Sequence, residues 1–189
     1  TPATREDIGR LGADIVVIAA GARVTLPALP GMDAPHVRSV EQCLAGDGRG
    51  AGPAIVLGGG SAACEAACYL REGGWEVTLL APGRDVARDV EPQTRRGVAG
   101  ELRRLGVRIV TGARAEAIDA GGVRYLDPAG QPATASAALV VVEGTLTPDE
   151  ALRRELEAEG LTVFATGDSA APGDLAAAVH GATDLALRL

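Results

Sequence analysis

The sequence predicts an α/β fold, and three observations carry that prediction. Hydrophobic runs alternate with segments of helical spacing along most of the chain. The runs are continuous rather than alternating in polarity, as expected of parallel strands covered on both faces. One of them leads through Gly58-Gly59-Gly60 directly into a helical pattern.

Taken in order, the run Asp14 to Ala20 ends at Gly21 and is expected to be a strand buried on both faces. Pro27, Pro30, Gly31 and Pro35 continue neither regular element, so 22–37 is expected to be an extended connection. Val40 to Leu44 has the spacing of a short helix, and the glycine-rich stretch Gly46 to Pro53 reads as a boundary between two lobes. Then come a strand at Ala54 to Leu57, the glycines, a helix to about Glu72 and a strand at Glu76 to Leu80. A second helix is expected from about Glu91 to Leu105, with Pro92 in its first turn and Gly106 to stop it. Arg108 to Thr111 reads as a third parallel strand. The segments Ala115 to Asp119 and Val123 to Leu126, separated by Gly121-Gly122, read as a small antiparallel ribbon. Ala138 to Val142 is a buried strand ending at Glu143-Gly144. Asp149 to Glu159 is helical, Leu161 to Ala165 is the last strand, and Leu175 to Leu189 is a final helix.

Composition narrows the classes of function. All 18 basic residues are Arg, the net charge is -7 and only 2% of residues are aromatic, which argues against nucleic acid as a partner. No apolar run approaches the roughly 20 residues of a membrane helix, and Thr1 opens no signal peptide, so no membrane partner and a cytoplasmic location are expected. Cys43, Cys64 and Cys68 lack the spacing of zinc or dithiol sites; Cys64 and Cys68 share a helix face and are read as packing residues. His36 and His180 sit in no ligand motif. Arg95, Arg96, Arg103 and Arg104 are read as a solvated helix face.

The pattern Gly58-x-Gly60-x-x-Ala63 lies between a strand and a helix, where a Rossmann-like dinucleotide-binding domain needs it. The first glycine permits the tight turn and the second lets backbone amides approach a pyrophosphate. Ala63 is small enough to let helix pack on sheet, and the helix N-terminus adds free N–H groups and partial positive charge. The end of the second strand, where an acid would hold the ribose of NAD, is Ala81. Arg84 follows shortly. It either meets a 2′-phosphate, as in NADP sites, or is a solvated loop charge.

Three segments together resemble the two-dinucleotide-domain flavoproteins. Val17 to Ala22 followed by Pro27-x-x-Pro30-Gly31 is similar to that family's crossover from flavin domain to pyridine-nucleotide domain. Gly58 to Glu65 is similar to its second glycine fingerprint, including Glu65 after the helix start. Ala165-Thr166-Gly167-Asp168 is similar to its flavin motif, in which the Asp contacts the ribityl chain. The stretch Gly167 to Ala182 resembles the trimethylamine dehydrogenase, histamine dehydrogenase and 2,4-dienoyl-CoA reductase group. In that group a first glycine fingerprint and an N-terminal barrel with FMN and a 4Fe-4S iron–sulfur cluster precede these segments; neither is in this chain. Ala19-Ala20 also replaces the usual Ala-Thr.

The resemblance implies an incomplete flavin-binding lobe flanking the central domain, divided as a flavin-domain fragment at 1–50, an NAD(P)-binding-like domain at 51–145 and a second flavin-domain fragment at 146–189. The expected cofactor-binding residues are Gly58, Gly60, Ser61, Ala63, Glu65, Arg84, Gly144, Gly167 and Asp168, with no catalytic or metal-ligating residue. NAD(P)H or ADP is expected at the central domain, and FAD only in an intact protein. The function implied is a nucleotide-binding module of a flavin-dependent oxidoreductase whose partners are the missing flavin and barrel domains. The alternatives are a vestigial or regulatory nucleotide-binding domain without redox role, and the NAD(P)H domain of a disulfide-reductase-like flavoenzyme. The strands at Asp14 to Ala20 and Leu161 to Ala165 are expected side by side in one parallel sheet. Lacking further strands, that sheet is expected to expose apolar surface, to self-associate and to retain no FAD.

Overall fold

The computed structural model describes residues 4–189. It opens with α1 (Arg5–Leu11), closed by a capping box in which the Thr4 hydroxyl accepts from the Asp7 amide at 3.2 Å and the Asp7 carboxylate accepts from the Thr4 amide at 3.1 Å. The strands β1 (Ile15–Ile18), β2 (Ala22–Thr25) and β3 (Val37–Ser39) follow. The extended connection expected over 22–37 is thus corrected at both ends, and only its proline-rich middle stays irregular. Ser39 caps α2 (Val40–Leu44), the expected short helix.

The central elements are β4 (Pro53–Leu57), α3 (Ser61–Glu72), β5 (Glu76–Ala81), α4 (Pro92–Arg104) and β6 (Arg108–Thr111). Glu91 caps α4, accepting from the Thr94 amide at 3.2 Å, and Pro92 occupies its first turn. Next come β7 (Arg114–Asp119), β8 (Gly122–Leu126) and β9 (Pro132–Ser136), which make a three-stranded antiparallel sheet in place of the two-segment ribbon expected. The strand β10 (Leu139–Val142) returns to the main sheet, whose order is β3-β10-β4-β5-β6 with every pairing parallel.

Period-2 alternation divides the apolar residues of this sheet between two cores. Val56, Leu79 and Val141 pack with Cys64, Leu70 and Leu102 of the helices. Ile55, Leu57, Leu80, Val140 and Val142 face Ile118, Val123 and Tyr125 of the antiparallel sheet. Both faces are covered, which is why the strands read as continuous apolar runs.

The chain ends with β11 (Thr145–Pro148), α5 (Ala151–Ala158), β12 (Thr162–Ala165), a single 3-10 turn at Gly167–Ser169 and α6 (Leu175–Ala186). The strand β11 pairs antiparallel with β2, and β12 pairs parallel with β1 in the register Ile15↔Thr162 to Ile18↔Ala165, so the two flanking strands do lie side by side. Their core is small: Ile18, Leu156 and Val163 with Ile8, Val16, Leu152 and Leu161 around them. The expectation that β1 is buried on both faces is corrected, because Ile15 and Val17 are 44% and 46% exposed. Among the described residues only β12 pairs with β1, and on the second face of this two-stranded sheet Ile15, Val17 and Thr162 are exposed while Phe164 is partly buried.

The fold divides into two compact units, one formed by the residues up to Thr25 together with Thr145–Leu189, the other by Leu26–Gly144. These divisions stand at 25/26 and 144/145, against 50/51 and 145/146 from the sequence. The first difference arises because β3 pairs with β10, and Val40 and Cys43 of α2 are buried in the main core. No helix among the described residues is long and apolar enough to cross a membrane.

Candidate functional site

In the main sheet β10 lies on one side of β4 while β5 and β6 lie on the other. The carboxyl ends of β4 and β10 therefore flank a topological switch point, the place where open α/β sheets bind ligands. The glycine turn is built there. Gly58 takes φ +149, a conformation that side chains disfavour, and its N–H donates to the Leu80 carbonyl at 3.1 Å. The register Leu57↔Val142 brings the next residue of β10, Glu143, alongside it; the Glu143 N–H donates to the Leu57 carbonyl at 2.8 Å.

The Glu143 side chain turns into the glycine turn. Its Oε2 accepts from the amides of Gly59 and Gly60, both at 2.9 Å, and its Oε1 accepts from the Ala63 amide at 3.2 Å. A Cβ on Gly58 would lie 2.5 Å from the Glu143 Cβ and 3.0 Å from the Ala63 Cβ, so the first glycine and the small Ala63 both make room for this carboxylate.

A second carboxylate closes the other side of the turn. The segment after β5 folds back so that the Ala87 N–H donates to the Gly59 carbonyl at 2.6 Å, with Ala87 itself at φ 50 and fully buried. Asp89 then accepts from the Ser61 amide at 2.9 and 3.0 Å and from the Ser61 hydroxyl at 2.6 Å. Partial burial works against the charged form of Asp89, but the hydroxyl and amide of Ser61 outweigh it and hold the carboxyl below the ordinary aspartate range. Four amides at the start of α3 thus already donate to the protein's own carboxylates. Ala62 is the exception; its amide has no protein acceptor among the described residues.

The expected site residues fall into two groups. Gly58, Gly60, Ser61 and Ala63 meet at the turn, with Gly144 next in sequence to Glu143. Glu65 is exposed on α3, and Arg84 is exposed in the segment after β5 and forms no ion pair among the described residues. Ala81, at the position of the missing ribose acid, is fully buried; a Cβ on Gly59 would lie 3.2 Å from its own Cβ. Cys64 is buried and its thiol is pushed up to about 12, chiefly by desolvation and then by the nearby Glu143 charge, which leaves it a packing residue.

Gly167 and Asp168 belong to the other unit. They form the 3-10 turn after β12 and line an open cleft of about 540 Å³ together with Ala19, Gly21, Thr166, Leu175 and Val179. The Asp168 Oδ1 accepts from the Gly173 amide at 3.1 Å, and the Ser169 hydroxyl donates to the Gly21 carbonyl at 2.9 Å. The buried Thr166 hydroxyl has no partner among the described residues.

Sequence reasoning missed Glu143 and Asp89. The signal for Glu143 was an acid directly after a buried strand; its meaning depends on that strand pairing with β4. Asp89 carried no local signal.

The chain is similar to known oxidoreductase sequences and structures. It is 29% identical to an NADH oxidase from Thermoanaerobacter brockii over 99% of its own length and 30% of that protein's. It superposes on 2-naphthoyl-CoA reductase, in a complex with 2-naphthoyl-CoA, with a TM-score of 0.86 and 26% identity, covering all of this chain and 29% of that one. Histamine dehydrogenase from Rhizobium sp. 4-9 shares the fold, with a TM-score of 0.84, 20% identity and the same full coverage, 31% of that chain being matched. The chain thus spans about a third of the length of each of these proteins. A family model described as pyridine nucleotide-disulphide oxidoreductase matches residues 3–180, and the chain belongs to that family.

Proposed function

We propose that this chain is the nucleotide-binding module of a flavin-dependent oxidoreductase of the trimethylamine dehydrogenase, histamine dehydrogenase and 2,4-dienoyl-CoA reductase group. NADH, NADPH or ADP binds with its phosphates over Gly58 to Ala63. The observation that carries this reading is a glycine turn at the switch point of a parallel sheet, with four backbone amides converged on anionic groups. The similarity to an NADH oxidase and to 2-naphthoyl-CoA reductase supports it. The backbone of the turn fits a pyrophosphate, although its donors are engaged by Glu143 and Asp89. A bound nicotinamide supplies hydride; the chain's own part is to bind and orient it. Gly144 closes the strand end beside the turn, and Glu65 follows it on α3.

In the smaller unit, Gly167, Asp168 and the unpartnered Thr166 hydroxyl fit one side of a flavin site. FAD is held there only when the rest of that lobe is present. FMN and a 4Fe-4S cluster belong to other segments of the full-length enzyme, and the partly exposed face of β1 and β12 is the surface through which this chain self-associates or meets those segments. One observation favours a vestigial nucleotide site instead, namely that internal carboxylates already satisfy the turn.

Titration calorimetry with NADH, NADPH and ADP up to millimolar concentration tests the proposal, using the chain and its Glu143→Ala variant. Saturable binding that Gly60→Trp abolishes supports it. No binding to either protein refutes it.

A further inference from the structure

Glu143 takes up the hydrogen bonds that a dinucleotide would use. Its two oxygens receive the Gly59, Gly60 and Ala63 amides, and Asp89 receives Ser61. An approaching pyrophosphate therefore meets two negative charges at the start of α3, in place of the free donors and partial positive charge of an uncapped helix.

The fit is reciprocal, because the space above Gly58 and Gly60 that the absence of Cβ atoms creates is filled by this one side chain. The backbone of Glu143 is fixed by the pairing of β10 with β4, whereas its half-buried side chain is held through its carboxylate. Rotating that side chain would free three amides together without disturbing the sheet.

We propose that Glu143 is an autoinhibitory gate of the glycine turn: in the ligand-free chain its carboxylate substitutes for the pyrophosphate, and a nucleotide enters only by displacing it. This rests on the nucleotide-binding reading above. It differs from simple helix capping in one consequence. A cap that is removed lowers stability and leaves affinity unchanged, whereas a gate that is removed lowers stability and raises affinity.

The test compares the full chain with Glu143→Ala and Glu143→Gln, measuring ADP, NADH and NADPH binding by calorimetry and thermal unfolding with and without ADP. The gate predicts at least tenfold tighter binding to Glu143→Ala, a lower Tm for that variant alone, and recovery of the Tm as ADP saturates it. Equal or weaker binding to a folded Glu143→Ala variant overturns the gate and leaves the nucleotide reading in place. Absence of binding to every variant removes the nucleotide reading, and the gate with it. Should Glu143→Ala fail to fold, Glu143→Gln keeps the side-chain shape while removing the charge, and the same affinity comparison decides.

Discussion

The two glycines of the turn should respond very differently to alanine, although both border Glu143. At Gly58 the backbone itself is unsuited to a side chain, with φ +149, and the added Cβ would stand 2.5 Å from the Glu143 Cβ, an atom fixed by β10. Backbone strain of about 1–3 kcal/mol and overpacking of about 1–3 kcal/mol act together, so Gly58→Ala should cost about 2–6 kcal/mol. Gly60 has φ -74 and ψ 175, which any residue adopts, and its Cβ would meet only the Oε1 end of the Glu143 side chain. That end can rotate away, and the loss is then the set of hydrogen bonds it made, partly offset by a less flexible unfolded chain. Gly60→Ala should cost about 0.5–2 kcal/mol. Trp75 is the only tryptophan and packs against the main core, so its fluorescence during guanidinium unfolding reports on the unit that contains the turn. Adding Glu143→Ala should relieve only the contact with the carboxylate and leave the strain and the contact with the Cβ, which alanine keeps; Glu143→Gly should relieve that contact as well. A Gly60→Ala cost equal to or above that of Gly58→Ala would refute this account of the turn.

Arg84→Ala should weaken NADPH binding by about 1.5–3 kcal/mol and leave NADH unchanged, if Arg84 reads a 2′-phosphate; equal calorimetric losses for both would mark it as a loop charge. Asp89→Ala should cost about 0.5–1 kcal/mol at neutral pH, as loss of an exposed helix cap does. Because the folded carboxyl of Asp89 is held below its unfolded value, that stabilisation is present above about pH 4 and is lost as pH falls further, so unfolding curves of the two proteins should converge in acid. Cys64 should not react with a thiol reagent at pH 8 in the folded chain and should react fully in guanidinium, read by absorbance or mass spectrometry. Ile15→Ser with Val17→Ser should reduce the sedimentation coefficient of the chain if it self-associates through the partly exposed sheet face, and should leave it unchanged otherwise.

Much of the fold was legible because its elements obey strong local rules. The strand β4, the glycines, α3 and β5 follow one another with little else between them, and the continuous runs in β4, β5 and β10 reflect cover on both faces. What escaped was short or weakly patterned. Three-residue β3 has no period to read, β9 is built from small and polar residues around Pro132, and α1 buries no residue. The strands β2 and β11 define each other only across a long sequence separation, through pairs such as Thr25 with Thr145. The same difficulty hid the centre of the candidate site. The glycine fingerprint is local and visible, whereas Glu143 reaches it through a pairing of strands 84 residues apart at the Gly59 contact. The continuous run in β1 was read as burial on both faces, an inference that needs neighbours which sequence periodicity cannot supply.

The most direct test of the central claim is to map where a nucleotide touches the chain. Amide spectra of the isotopically labelled protein, recorded during titration with ADP to millimolar concentration, locate the binding site residue by residue. The account predicts that the amides of Gly59, Gly60, Ser61, Ala62 and Ala63 shift together and saturably as Glu143 gives way. Shifts confined to Gly167, Asp168 and their neighbours, or saturable binding that leaves the glycine turn unmoved, would contradict it.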